Sequence, residues 1–210
     1  MTEKDRVVAR TTDAREKAIE TAERLFRVQG YAATGLNQII EESGAPKGSF
    51  YFHFPCGKRE LAAEVLAVYR VKTSAGFRTL AEKVAGDPDK FVSALAKNVA
   101  EGMRASDLAM SCAAQTLAQE LAPGDAEMTD ALGAMFGEWV EIAAAAVGPS
   151  GDRQSARARA LALVAALEGA RTLARALHSI APFDPSQGNS RRVRAENEDR
   201  IAPSSARSML

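Results

Sequence analysis

Apolar residues recur at the three- and four-residue spacing of an α-helix through nearly the whole chain, as Ala18, Ala22, Leu25 and Phe26 illustrate. No stretch alternates β-branched and polar residues as a strand would. The residues that favour helices, Ala, Leu, Glu and Arg, dominate the composition. The sequence therefore predicts an all-α protein.

Glycine and proline divide this pattern into eight predicted helices, which cover residues 13–29, 36–43, 46–54, 58–84, 89–104, 108–121, 126–147 and 153–180. Thr34 is the expected N-cap of the second helix, and Pro46 is the expected first residue of the third. We expect an N-terminal helix-turn-helix domain over 1–57 and a larger helical domain over 58–183. The polar segment 184–210 is expected to be a mostly disordered tail.

Charge and cysteine content exclude several classes of protein. The chain has 27 Lys+Arg and 27 Asp+Glu, so its bulk charge neither favours nor excludes a nucleic-acid partner. The longest uncharged stretch, 28–40, is too short to cross a bilayer, and no apolar export signal follows the N-terminus. Two cysteines, Cys56 and Cys112, form no disulfide framework. We expect a cytoplasmic protein with no membrane partner.

The third predicted helix has an unusual composition. Phe50 and Phe54 share one face and are expected to pack on the first two helices. The other faces then carry groups that suit phosphates and base edges: Lys47, Gly48, Ser49, Tyr51, Phe52 and His53. Further candidates stand at the starts of neighbouring helices: Thr34, Asn37 and Lys58. The aromatic residues alone are equally compatible with core packing. Together with the cation, hydroxyl and glycine beside them, they favour a DNA-binding helix-turn-helix.

The order and spacing of these residues are also informative. From Ala18 to Leu61 the chain resembles the DNA-binding domain of the TetR family of bacterial repressors. The matching residues are Ala22–Phe26, Gly30–Tyr31, Thr34, Ile39, Gly44, Lys47–Tyr51, His53–Phe54, Lys58 and Leu61. The turns 45–49 and 54–58 are similar to the LmrA-like branch, which has one extra residue here and usually glycine where Cys56 stands. Weaker support comes from Cys112 and from 167–170.

The resemblance implies a homodimer that places helix 46–54 of each subunit in a major groove of double-stranded DNA. It assigns phosphate contacts to Thr34, Tyr51, His53 and Lys58, and base-proximal contacts to Lys47, Gly48 and Ser49. Phe52 departs from members with Tyr or His there and loses any hydrogen bond from that position. Two half-sites about one helical turn apart, or somewhat more, would form a palindromic operator.

The resemblance also implies a ligand-responsive repressor that dimerises through helices 126–147 and 153–180. The small, Ala-rich faces of these helices support such a bundle independently. The LmrA-like resemblance implies a small, mainly apolar inducer. Soft apolar side chains suit an adaptable ligand pocket: Met103, Met110, Cys112, Leu117, Met128 and Phe136. A helical core without a ligand would show a similar set. The arginines of the last helix, Arg171 and Arg175 among them, are interpreted as its solvated side.

The sequence gives little support for an enzyme. Only His53 and His178 are histidines, and the chain has no catalytic, phosphate-loop or metal-ligand motif, so no cofactor is expected. Cys56 lies near a helix N-terminus and Lys58, as a redox-active thiol would, but we interpret it as a tolerated small residue in a tight turn. The alternative function is a helical ligand- or partner-binding protein that does not bind DNA.

Overall fold

The computed structural model describes residues 3–84, 86–148 and 152–184, with side chains from residue 13 onward. Within these residues it contains eight α-helices: α1 (Glu3–Gln29), α2 (Leu36–Ser43), α3 (Lys47–His53), α4 (Lys58–Val84), α5 (Pro88–Ala105), α6 (Ala113–Glu120), α7 (Ala126–Val147) and α8 (Arg153–Ala176). Two short 3₁₀ turns, Ala122–Gly124 and Ala181–Phe183, complete this part of the chain. No strand occurs in it, which confirms the all-α prediction. The predicted tail after residue 184 lies outside the described residues.

Several helix bounds differ from the prediction. α2, α4 and α7 begin and end where the sequence placed them, whereas α1 starts ten residues earlier than predicted, at Glu3. Thr34 is not the N-cap of α2. Gly35 holds that position, and the Thr34 hydroxyl instead donates to the Gly30 carbonyl at 2.6 Å. Pro46 precedes α3 as its N-cap rather than opening it.

The predicted helix 108–121 is wrong in its first turn, because residues 106–112 are irregular and α6 begins only at Ala113. Asp107 (φ 49°) and Leu108 (φ 61°) are left-handed, and their amides donate to the Arg104 and Met103 carbonyls at 3.0 and 2.8 Å. This is a Schellman ending without its usual glycine.

The last helix likewise ends four residues early, at Ala176 rather than Ile180. His178 (φ 48°) takes the left-handed position, and the Ser179 amide donates to the Ala174 carbonyl at 3.0 Å. No glycine occurs at this helix end, and the apolar periodicity continues beyond it, so the sequence predicted a helix that was too long.

One connected core runs through the described chain. Phe26, Phe50 and Phe54 fill the space among the first three helices, and α4 extends this core from Leu61 to Tyr69. Beyond Tyr69 the core continues between α4, α5 and α7. α7 and α8 pack very closely where they meet, because a Cβ at Gly148 would lie 2.3 Å from the Ala156 Cβ. α4 therefore connects the first three helices directly to the rest of the molecule.

The turn after α1 depends on a glycine. Gly30 has φ +93°, and a Cβ there would lie 2.7 Å from Oε1 of Glu120. Oε2 of the same carboxylate accepts the Ala32 amide at 2.6 Å. A larger residue at position 30 would therefore be strained in the left-handed conformation. Its Cβ would also clash with the Glu120 carboxylate, which is held in place by its bond to the Ala32 amide.

We expect Gly30→Ala to lower the free energy of unfolding by about 1–3 kcal/mol, the usual cost of a strained left-handed residue. Denaturant unfolding at one fixed protein concentration measures this change. The matched control is Gly133→Ala, in the middle of α7 with open space around its Cβ position. This control should raise the stability by about 0.5–1 kcal/mol. A Gly30→Ala variant as stable as the parent chain would contradict the role assigned to this turn.

Candidate functional site

α3 presents the predicted DNA-contact residues on its outer surface. Phe50 and Phe54 are buried as predicted, and their ring centroids lie 5.1 Å apart. Lys47, Gly48 and Tyr51 are exposed, whereas Ser49 and His53 are half-buried. Asn37 of α2 is also exposed. The structure thus exposes several of the predicted residues on α2 and on a short α3 that two phenylalanines anchor.

Phe52 is the residue on this surface that sequence reasoning undervalued. Its side chain is 76% exposed, the highest value among the large apolar residues of the described chain. Its ring lies edge-on to the His53 imidazole, with 5.2 Å between the ring centroids, and is otherwise available to a partner. The sequence did contain the relevant signal. Residues 50 and 54 share the apolar face of α3, and position 52 lies off that face, so exposure of Phe52 follows from helical spacing.

Thr34 and Lys58 occupy more interior positions than predicted. The Thr34 side chain is fully buried. The Lys58 ammonium donates to the carbonyls of Tyr31 and Thr34 at 3.0 and 2.9 Å, and it lies 4.2 Å from the Tyr31 ring centroid. Burial lowers the pKa of Lys58, although the Glu120 carboxylate opposes this shift. Both residues brace the turn between α1 and α2. One ammonium N–H of Lys58 remains for a phosphate, and this contact stays a prediction.

An ion pair joins the start of α4 to the start of α7. Arg59 forms a bidentate contact with Asp125, with Nε–Oδ2 2.7 Å and Nη2–Oδ1 3.0 Å, and reaches Glu127 at 2.6 Å. Asp125 is also the N-cap of α7, since its carboxylate accepts the Met128 amide. The hydrogen bonds from Arg59 hold the pKa of Asp125 at about 2.

A second set of contacts ties the end of α1 to the irregular segment 106–112. The Ser111 amide and hydroxyl both donate to the Arg27 carbonyl at 2.8 Å. In return, Arg27 Nε donates to the Ser111 carbonyl at 2.9 Å. These bonds satisfy backbone groups that the end of α1 would otherwise leave unpaired.

A cavity of about 520 Å³ lies among helices α1, α4, α5 and α8 and the irregular segment 106–112. Its apolar and aromatic lining includes Tyr69, Phe77, Leu80, Leu95, Val99, Met103 and Met110. Its charged lining consists of Glu23, Arg27, Lys72, Lys83 and Arg171. This volume is in the range of cavities that bind small molecules.

Of the six predicted ligand residues, only Met103 and Met110 line this cavity. Cys112 lies behind it, where its Sγ accepts a hydrogen bond from the Tyr69 hydroxyl at 3.7 Å and burial raises its thiol pKa to about 11. Leu117 and Met128 are core residues, and Phe136 packs edge-on against Trp139 at 5.4 Å between ring centroids.

The sequence analysis did not predict that charged residues line the cavity. Its interpretation of Arg171 as solvated is wrong. Its side chain is only 14% exposed. The signal was present in the sequence, because Leu167, Ala170 and Ala174 are buried and Arg171 falls on the same face at helical spacing. Arg175, in contrast, is exposed as predicted.

Comparison with known proteins identifies the fold and both parts of the chain. Residues 18–65 match the profile of bacterial regulatory proteins of the tetR family, and residues 88–187 match the C-terminal domain of LmrA/YxaF-like transcriptional regulators. A TetR regulatory protein from Rhodobacter sphaeroides superposes with a TM-score of 0.74 at 20% identity, over 81% of this chain and 93% of that one.

Relatives in sequence agree with these matches. The HTH-type transcriptional regulator LmrA of Bacillus subtilis is 65% identical over 54 residues, which are 26% of this chain and 29% of LmrA. YxaF of the same organism is 67% identical over 54 residues, 28% of its length. The match thus spans less than a third of these relatives. An HTH-type regulator from Mycobacterium tuberculosis is 27% identical over 179 residues, 81% of this chain and 88% of that protein.

The three-helix unit and the helical bundle behind it define a helix-turn-helix protein of the bacterial regulator class. The chain belongs to the TetR family, and its C-terminal half is of the LmrA/YxaF-like type. This confirms the resemblance found in the sequence. The family is one of regulators rather than enzymes, in agreement with the predicted absence of catalysis. Among the helices that the structure describes, none is long and apolar enough to span a membrane.

The Arg59–Asp125 pair predicts a pH dependence of stability. Because the folded-state pKa of Asp125 lies below its ordinary value of 3.8, the pair stabilises the fold fully above about pH 4. This stabilisation is lost as the pH falls toward 2. Asp125→Asn keeps a capping oxygen but removes the charge, so its deficit in unfolding temperature should shrink between pH 5 and about pH 2.

Asp152→Asn is the matched control, because Asp152 caps α8 through the Gln154 and Ser155 amides and forms no ion pair with the described residues. Its deficit should vary less with pH than that of Asp125→Asn. Equal pH profiles for the two variants would show that the contact with Arg59 does not stabilise the fold.

Proposed function

We propose that this chain is a sequence-specific DNA-binding transcriptional repressor that acts in the cytoplasm. Two copies would bind a palindromic operator in double-stranded DNA, and a small molecule would release them. The observation that carries the proposal is the surface of α3, with Lys47, Gly48, Tyr51 and Phe52 exposed around the buried Phe50. Residues 1–57 would form the DNA-binding domain and 58–183 the ligand-binding and dimerisation domain.

The α3 surface has the chemistry that a major groove requires. Lys47 supplies a cation for phosphates or guanine, and Tyr51 supplies a hydroxyl on an aromatic ring. Gly48 has open space around its Cβ position, so the helix backbone can approach DNA closely. Phe52 suits the apolar methyl group of thymine. Ser49, His53, Asn37, Thr34 and Lys58 would complete the contact set.

The exposed face of α8 supports dimerisation. Between 161 and 173 its exposed residues carry no charge: Leu161, Ala162, Ala165, Ala166, Gly169, Thr172 and Leu173. Leu161 and Leu173 are 54% and 53% exposed. An uncharged helix face with small residues at its centre permits close packing against an identical face. α7 packs beside α8 and would join it in a four-helix bundle.

Ligand binding would act on DNA binding through α4. This helix begins directly after the predicted DNA-binding domain and forms one wall of the cavity. The Arg59–Asp125 pair fixes the start of α4 against the start of α7, and the Arg27–Ser111 bonds hold the end of α1 against segment 106–112. A ligand that shifts α4 therefore changes the position of α3, and with it the separation of the two α3 helices in a dimer.

Lys47→Gln should weaken operator binding and reduce the slope of log affinity against log salt by about 0.9 for each phosphate that the variant no longer neutralises. Fluorescence anisotropy across a salt series, with an operator obtained by random-sequence selection, measures both quantities. Lys97→Gln is the control, since Lys97 on α5 is 77% exposed and distant in sequence from α3. Specific DNA binding unaffected by Lys47→Gln would remove α3 from the interface. If selection enriches no sequence, the chain is a helical ligand- or partner-binding protein instead.

The double variant Leu161→Glu/Leu173→Glu should convert the dimer to a monomer, because it places four charges in the proposed interface. Sedimentation velocity at micromolar concentration measures the change. The control is Val71→Glu on α4, where the parent side chain is 70% exposed. A dimer that survives the double variant would place the interface elsewhere.

A further inference from the structure

The cavity has an excess of positive charge. Its charged lining includes four cations, Arg27, Lys72, Lys83 and Arg171, and one carboxylate, Glu23. That carboxylate is shared, since it lies 3.2 Å from Arg27 and 3.5 Å from Lys72. No carboxylate of the described residues pairs with Lys83.

Arg171 is only partly satisfied by the protein. Its Nε is buried without a hydrogen-bond partner among the described residues, and the Glu168 carboxylate lies 3.6 Å away, beyond ordinary hydrogen-bond distance. Oε2 of Glu168 is also buried and unpartnered. Burial raises the pKa of Glu168, and the charge of the Arg171 guanidinium opposes this shift. The guanidinium therefore retains capacity for an anion.

The cations at one end of the cavity surround Tyr69. The Arg27 guanidinium lies 5.5 Å from the Tyr69 ring centroid, and the charges of both Arg27 and Arg171 act on its hydroxyl. Lys72 follows on the next turn of α4 and reaches the same Glu23. From there the lining follows α4 for about three to four turns, past Phe77 and Leu80, to Lys83.

We infer that this cavity binds an amphiphilic organic anion, a carboxylate or sulfonate with an aromatic or aliphatic body. The head would pair with Arg171 and Lys72 beside Tyr69, and the body would lie along Phe77, Leu80 and Val99. This ligand class differs from the mainly apolar inducer expected from the sequence. Its regulatory consequence rests on the proposed function, but the binding itself does not.

Two fluorescent probes that differ chiefly by an anionic group test the inference. 8-Anilinonaphthalene-1-sulfonate carries a sulfonate, and N-phenyl-1-naphthylamine is the neutral parent compound. Titrated into the full chain, the sulfonate should bind at least about tenfold more tightly, the equivalent of one charge-assisted contact. Equal affinity of the two probes would overturn the inference.

Variants locate the site. Arg171→Gln and Lys72→Gln should each weaken sulfonate binding about tenfold and leave the neutral probe within about twofold. Lys72 is 57% exposed, so Lys72→Gln provides a test even if Arg171→Gln disturbs folding. Lys97→Gln is the control and should change neither titration. Equal losses in Lys97→Gln and Lys72→Gln would indicate general surface attraction and overturn the inference.

The same samples, tested by DNA anisotropy, separate this inference from the proposed function. A chain that discriminates the two probes but binds no specific DNA would support the anion site and refute the repressor function. A chain that binds its operator but treats both probes alike would support the repressor function and refute the anion site.

Discussion

The surface that α3 presents depends on the burial of two phenylalanines. A seven-residue helix has too few internal hydrogen bonds to be stable in water, so α3 exists only because Phe50 and Phe54 are anchored in the core with Phe26. Lys47, Gly48, Tyr51 and Phe52 then lie on the exposed side of the helix. This explains why an apolar side chain as large as Phe52 is exposed: the helix has one buried face, and Phe52 is not on it. A groove-reading surface thus follows from core packing.

The position of that surface relative to the rest of the molecule depends on polar contacts of a different kind. Arg59 and Asp125 are partly exposed, and such pairs contribute little to stability individually. The bonds between Ser111 and Arg27 satisfy partly buried backbone groups and are costlier to lose, whereas the bond from the Ala32 amide to Glu120 is exposed. The Arg59–Asp125 pair joins α4 to the start of α7, whereas the other bonds join the end of α1 and the turn after it to segment 106–112 and α6. The junction is therefore directional and specific, and a small displacement of α4 or of segment 106–112 must alter it.

Much of this arrangement could be predicted from the sequence, and the failures share physical causes. Glycine and proline located most helix ends correctly, but they gave no warning of Asp107 and His178, which take left-handed positions without glycine. The spacing of Phe50 and Phe54 identified the buried face of α3. Thr34 and Lys58 were recognised as important residues, yet residue type alone could not show that both groups turn inward to bond carbonyls. Charge was the least reliable indicator of exposure, since Arg171 was assigned to solvent although its side chain is only 14% exposed.

Arg171 and Glu168 carry a cost that the fold does not need for its own stability. Each has a buried polar atom without a partner, and such an atom typically costs about 1–3 kcal/mol. Apolar residues of similar volume would pack as well or better at such a position. Features of this kind persist mainly at functional sites. An anion that completes the pairing of Arg171 would bind more tightly to the conformation in which that guanidinium is accessible, and a ligand can shift a conformational equilibrium only through such a difference in affinity. The Arg171 guanidinium is therefore the feature of this cavity best suited to convert ligand binding into a change of shape.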